Sequence, residues 1–236
     1  MTKSEVMLAL KEMGNDQTKK ILMSHGAKEP VFGVKVADLK KIIKKTKKKN
    51  QALAEELFAT GNSDAMYLGG LIADEKTISK ATLQKWVETA YWSYLSEYAV
   101  AWVSAESPYG WELGLEWIEN KEENIAAAGW STLSNIVAMN NDEDLDVKTL
   151  SNLLKRAEKE VHRDKNRVSY TMNNFIISVA AYVQPLTEEA LIIAKNIGKV
   201  KVDMNGTACK VPVAYDYVKK MEKMGRLYKK KKVARC

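Results

Sequence analysis

Proline and glycine are scarce in this sequence, with 4 Pro and 12 Gly in 236 residues. That excludes a collagenous or low-complexity chain and argues against a turn-dense all-β one. Cysteine and histidine are scarcer still: His25, His162, Cys209 and Cys236 are the whole complement. They are too scattered for zinc-ligand spacing and too few for a disulfide scaffold, so neither a metal nor a cofactor is expected. No apolar run approaches the ~18 residues of a membrane helix. The run Val6 to Leu10, set among Lys3, Glu5, Lys11 and Glu12, is too short for the apolar region of a signal peptide. A G-x-G-x-x-G fingerprint, a P-loop and a readable nucleophilic triad are also missing. The expectation is a soluble cytoplasmic protein with reduced thiols, monomeric and without a membrane partner.

What the chain does have is apolar content, 46% hydrophobic residues, and charge, 28% of residues with a net charge of +7. The charge is divided. Lys219 to Cys236 carries nine basic residues and one acid, net +8, and Lys35 to Lys49 carries eight Lys and one Asp, net +7. Between Glu88 and Asp144 eleven acids face only Lys121, net −10. Basic runs attract phosphate backbones through counterion release, and an acidic run repels them. Lys44, Lys45, Lys47 and Lys48 near one end, with Lys229, Lys230, Lys231, Lys232 and Arg235 at the other, are therefore candidate nucleic-acid contacts. The alternative is a solvated helix face and a solvated tail.

Apolar residues recur with a helical period. Val36, Leu39, Ile42 and Ile43 form one stripe, Leu53, Leu57 and Phe58 the next, then Met66, Leu68, Leu71 and Ile72, then Leu83, Trp86, Val87 and Tyr91. Cap and breaker residues separate them: Thr60 to Asp64, Ser79, Ser107-Pro108, Asn140 to Asp142, Gln184-Pro185 and Asn205-Gly206. Helices of about 10–18 residues with tight connections and no sustained alternating strand describe an all-α chain of stacked antiparallel helix pairs. The helix-pair period of ~40 residues suits a HEAT-like α-solenoid, with a globular bundle as the alternative. Residues 1–225 read as one helical domain and 226–236 as a basic tail with almost no apolar residues to bury.

Six tryptophans, Trp86, Trp92, Trp102, Trp111, Trp117 and Trp130, crowd the middle of the chain. Indoles fill helix interfaces and also stack on nucleobases. Trp92, at a helix boundary after Tyr91, is the one best placed to face a groove. Glu112 and Glu116 share a helix face at i, i+4 and read as solvent-facing acids. His25 reads as a helix cap, His162 as an exposed side chain, and Cys209 as a small loop thiol beside Lys210.

The stretch Phe32-Gly33-Val34-Lys35-Val36-Ala37-Asp38-Leu39-Lys40-Lys41-Ile42 resembles the (Y/F)GVRxPxLR opening of the DNA alkylation repair enzymes, HEAT-like-repeat alkylpurine DNA glycosylases. Met66 to Asp74, Val87 to Trp92 and Tyr170 to Ile176 continue in family order, and the resemblance spans roughly Asp16 to Val200. It implies an all-α solenoid, a right-handed superhelix whose concave face holds DNA through the phosphate backbone. It also implies an activity, excision of cationic alkylpurines, that needs a carboxylate, an Arg and indoles around the lesion. A positioned anion helps where positive charge moves onto the sugar. At those positions this chain departs. The family's Trp-Asp-x-x-Asp stretch corresponds to Trp92-Ser93-Tyr94-Leu95-Ser96, which places Ser96 at the catalytic carboxylate, with Glu97 next to it. The family's Arg corresponds to Gly129 and its later Trp to Asn174. Trp92, Ser96, Glu97, Gly129 and Asn174 are thus the expected groove-lining residues. The resemblance implies a DNA-binding family member whose glycosylase activity is in doubt; a catalytically silent scaffold for a protein or a structured nucleic acid is the alternative.

Overall fold

The computed structural model describes residues 1–46, 49–163 and 165–235, which leaves Lys47 and Lys48 outside the described residues. Three helices open the chain: α1 (Lys3–Met13), α2 (Asp16–Ser24) and α3 (Val36–Lys45). Then follow α4 (Gln51–Phe58), α5 (Ser63–Ile72), α6 (Lys80–Thr89) and a π-helical segment (Tyr94–Val100) that runs directly into α7 (Ala101–Glu106). The rest are α8 (Gly110–Trp117), α9 (Glu123–Met139), α10 (Val147–Glu160), α11 (Asn166–Tyr182), α12 (Thr187–Ile197) and α13 (Ala214–Lys223). No strand occurs among the described residues. Short polar side chains start the helices. Asn50, Asn62, Ser79 and Asp146 each accept a hydrogen bond from the backbone N–H three residues on, which satisfies one orphan donor of each first turn.

From α4 onward the helices alternate between two layers. The outer layer is α4, α6, α8, α10 and α12. The inner layer is α5, the π segment with α7, α9, α11 and α13, each packed on its own outer partner and on its inner neighbours. The width of each apolar stripe explains the assignment. In α10 only Leu150, Leu153, Leu154 and Ala157 are buried, a single i, i+3, i+4, i+7 stripe. In α5 all residues from Ser63 to Ile72 are buried, as a helix packed on several sides must be. Gly129 lets α9 approach α8, because a Cβ there would stand 2.7 Å from the backbone nitrogen of Ile118. Trp86 stacks on Phe58 with centroids 4.2 Å apart, and Trp130 meets Phe175 edge-on at 5.1 Å, so these indoles are core.

The Phe32-Gly33-Val34 motif is a joint. The buried carboxylate of Asp64 accepts hydrogen bonds from the backbone N–H groups of Phe32 (2.6 Å), Gly33 (3.1 Å) and Val34 (2.9 Å). Gly33 has φ 80°, and a Cβ there would meet the Lys19 nitrogen at 2.5 Å. The loop between α2 and α3 is thereby clamped to the start of α5. Hydrogen bonds to a charged acceptor are the strong ones, so Asp64→Asn is expected to cost about 2 kcal/mol. Urea unfolding of the two proteins measures it, and a loss below about 0.5 kcal/mol would show that the loop is held by packing instead.

Candidate nucleic-acid interface

The inner layer carries two open hollows lined in part by the π segment, which stands between α5 and α9. π-helical turns are rare and often mark functional sites. Here the segment sets Tyr94, Tyr98 and, through α7, Trp102 in one row at i, i+4 and i+8. Ring centroids are 5.7 Å apart for Tyr94 and Tyr98 and 5.5 Å for Tyr98 and Trp102, and Tyr67 stacks under Tyr94 at 4.3 Å. Trp92 adjoins Tyr94 at 5.2 Å. The sequence reading did not assemble this row, although its i, i+4 aromatic spacing was visible.

Glu97, on the same segment, has a side chain 3% exposed and forms a two-point pair with Arg167 from the first turn of α11. Arg167 Nε is 2.7 Å from Oε1 and Nη2 is 2.5 Å from Oε2. The guanidinium also lies over the Tyr170 ring, 4.2 Å from its centroid. Burial pushes the Glu97 carboxyl up, against the pull of its Arg167 bonds. Burial likewise raises the Tyr98 phenol, with Tyr170 and Glu97 adding to it, so Tyr98 stays protonated at neutral pH.

The structure brings only some of the expected groove residues together. Glu97 and Asn174 line one hollow of about 310 Å³, with Trp102, Ser131 and Asn135. Ser96 is not in it. Its side chain is fully buried and donates to the Trp92 carbonyl at 3.3 Å, turned back along its own helix. Gly129 is not in it either, since it faces Ile118 in the crossing with α8. Trp92 is 5% exposed and donates its indole N–H to Ser63 at 3.2 Å. It is at once a core residue and one wall of a second hollow. The paired acids Glu112 and Glu116 both reach Lys80, at 2.9 and 3.4 Å. His25 caps α2 as expected, and Cys209 is exposed.

The basic tail is not a free tail. Its backbone N–H groups at Tyr228 and Lys231 donate to Ala181 and Ala138, in the last turns of α11 and α9. Lys230 Nζ reaches the Val137 carbonyl (3.0 Å) and Asp142 (2.9 Å). Ala234 N–H donates to Glu106 at the end of α7. Arg235, its side chain 10% exposed, holds Glu106 (2.5 Å) and Glu75 (2.6 Å) and donates to the Ala73 carbonyl at the end of α5 (2.6 Å). The tail is therefore a strap over the C-terminal ends of four inner helices, where unpaired carbonyls and the negative dipole end favour cations. This corrects the reading of Lys230 and Arg235 as nucleic-acid contacts, because both are spent on carboxylates and carbonyls. Lys229, Lys231 and Lys232 remain exposed. Lys44 and Lys45 are exposed in the last turn of α3. Glu75 pairs with Lys49 as well as Arg235, so the two basic segments meet at one carboxylate.

Two stacked helical layers, inner helices with two hollows lined by aromatic rings, and a cationic strap along one edge define a helical-repeat protein. A family model for the DNA alkylation repair enzymes matches residues 6–210, and the chain belongs to that family. It is similar to uncharacterized protein Lin0241 of Listeria innocua serovar 6a, 34% identical over 217 residues, covering 89% of this chain and 93% of that one. It is 35% identical, with the same coverage, to uncharacterized protein Lmo0209 of Listeria monocytogenes serovar 1/2a. A solved structure matches over 100% of both chains with a TM-score of 0.92 and 38% identity. That structure is described as a new family of proteins related to the HEAT-like repeat DNA glycosylases with affinity for branched DNA structures. The all-α solenoid of HEAT-like helix pairs is thus the fold of this chain. No single helix among its described residues is long and apolar enough to cross a membrane.

Proposed function

We propose that this protein binds branched DNA, acting as a cytoplasmic monomer, and leaves the bases it meets attached to their sugars. The latched strap is the observation that carries the reading. Residue counting makes Glu88 to Asp144 a repulsive floor, net −10. The fold pairs many of those acids: Glu106 with Arg235, Asp142 with Lys230, Glu97 with Arg167, Glu119 with Arg156. The strap then adds the exposed Lys229, Lys231 and Lys232 along one edge of the inner layer, and paired carboxylates no longer oppose a phosphate backbone. The affinity of the 38% identical structural relative for branched DNA supports the choice of substrate. Absence of excision follows from Glu97. Its charge is committed to Arg167, and a carboxylate so neutralised is a poor partner for an oxocarbenium-like sugar.

Fluorescence anisotropy at one fixed salt tests the binding, with a four-way junction against a linear duplex of equal length. A junction preference of about tenfold is expected, and equal affinity would remove the branched-DNA reading. Changing Lys229, Lys231 and Lys232 together to Gln should lower the salt slope of binding by about 2–3, since each phosphate contact contributes about 0.9. The thermal midpoint should move little, because among those side chains only Lys231 touches the helices, with its ammonium 5.8 Å from the Tyr182 ring centroid. Duplex carrying 7-methylguanine should release no more free base with the protein than without it.

A further inference from the structure

A second hollow, of about 430 Å³, opens beside the first, on the side of the inner layer away from the strap. Trp92, Tyr94, Tyr98, Tyr170 and Arg167 form its walls, and Lys210 stands at its mouth. We propose that this hollow receives one unpaired, undamaged nucleobase presented at a DNA branch point. The inference rests on the reading of the protein as a binder of branched DNA.

Size, chemistry and position agree. The volume falls in the range of about 300–1,000 Å³ of small-ligand sites, and a hollow of this size excludes a duplex. Its walls are flat π-systems, which stack on any base and so need no sequence. The walls are also rigid. The Trp92 indole is tied to Ser63, Tyr94 is backed by Tyr67 at 4.3 Å with an interplanar angle of 4°, and Tyr98 packs edge-on against Trp102 at 5.5 Å. Rings held in place lose little freedom on binding.

The charged groups lining the hollow are Arg167, Lys210 and Asp203, and the two cations supply donors that a nucleotide can use. Arg167 is held over Tyr170 by Glu97 through Nε and Nη2, while its Nη1 turns the other way, 3.8 Å from the Met204 sulfur that also lines the hollow. The guanidinium face and Nη1 thus offer a stacking plane and donors for base edges. Exposed Lys210 suits the phosphate of the same nucleotide. A base reaches such a site only outside its stack, and extrusion costs least where it is already unpaired. A branch point that leaves a base unpaired supplies that condition, and intact duplex does not.

The experiment is a three-way junction with one unpaired 2-aminopurine at the branch, compared with a fully paired junction of the same arms. With the wild-type protein we expect the fluorophore to be quenched on binding and the unpaired junction to bind about tenfold more tightly. Tyr94→Leu should abolish the quenching and the tenfold preference while keeping affinity for the paired junction within about threefold. Lys210→Glu, on the surface and remote from the core, should reduce the preference alike and keeps the test open if Tyr94→Leu fails to fold. Tight binding of both junctions with unchanged fluorescence would overturn the nucleobase site and leave branched-DNA binding standing. Binding of neither junction would overturn the underlying reading and this inference together.

Discussion

Removal of residues 226–236 is expected to lower the thermal midpoint by roughly 10 °C, at about 2–4 °C per kcal/mol for a chain of this length. The loss comes chiefly from one side chain. Arg235 is 10% exposed, and so is the Glu106 carboxylate it holds, while Glu75 is 12% exposed. Removing one partner of a buried ion pair typically costs about 3–5 kcal/mol, because the remaining charge is left without compensation. The truncation also strips donors from carbonyls at the ends of α11, α9 and α5. Arg235→Met should reproduce most of the effect, and Lys232→Ala should have none. A truncated protein melting within 2 °C of the full chain would show that the strap is only laid on the surface. From the sequence the opposite result is expected, since the tail holds almost no apolar residue. That expectation counts only apolar burial, and the strap is held by ion pairs and helix-end carbonyls.

Trp92→Ala should destabilise the fold by about 3–5 kcal/mol, the range for truncating a buried large aromatic. The indole is 5% exposed, packs beside Tyr94 and is hydrogen-bonded to Ser63. Trp92→Phe should cost much less, near the ~1 kcal/mol of the lost N–H bond plus a modest packing defect. Measured where both proteins are folded, the Ala variant should also bind the unpaired junction more weakly, because the same ring walls the second hollow. A stability loss under about 1 kcal/mol would place the indole in the groove and out of the core. The sequence offered groove and core as alternatives for this residue; the structure makes it both.

The helices, their caps and their layers are legible in the residues because each depends on local chemistry. Asn62 caps α5 from three residues away, and the stripe Leu150, Leu153, Leu154, Ala157 declares an outer helix by its width. The family is legible for the same reason. Phe32-Gly33-Val34 and the stretch ending in Trp92 are contiguous, and their pattern survives without knowledge of their partners.

Which face a residue takes inside an unusual turn was not legible. Ser96 turns back to the Trp92 carbonyl and Glu97 reaches across to Arg167 from a π-helical segment, and hydrophobic period does not mark a change from one helical hydrogen-bond pattern to another. Charge partners were not legible either. Glu97 finds Arg167 70 residues away, and Glu106 finds Arg235 129 residues away. A sequence gives the number of charges along a chain, and the repulsion they exert depends on distances in space. The tertiary structure alone brings the basic C-terminus across the acidic middle, because the ends of four inner helices present carbonyls and carboxylates along one edge and a cationic strap satisfies them.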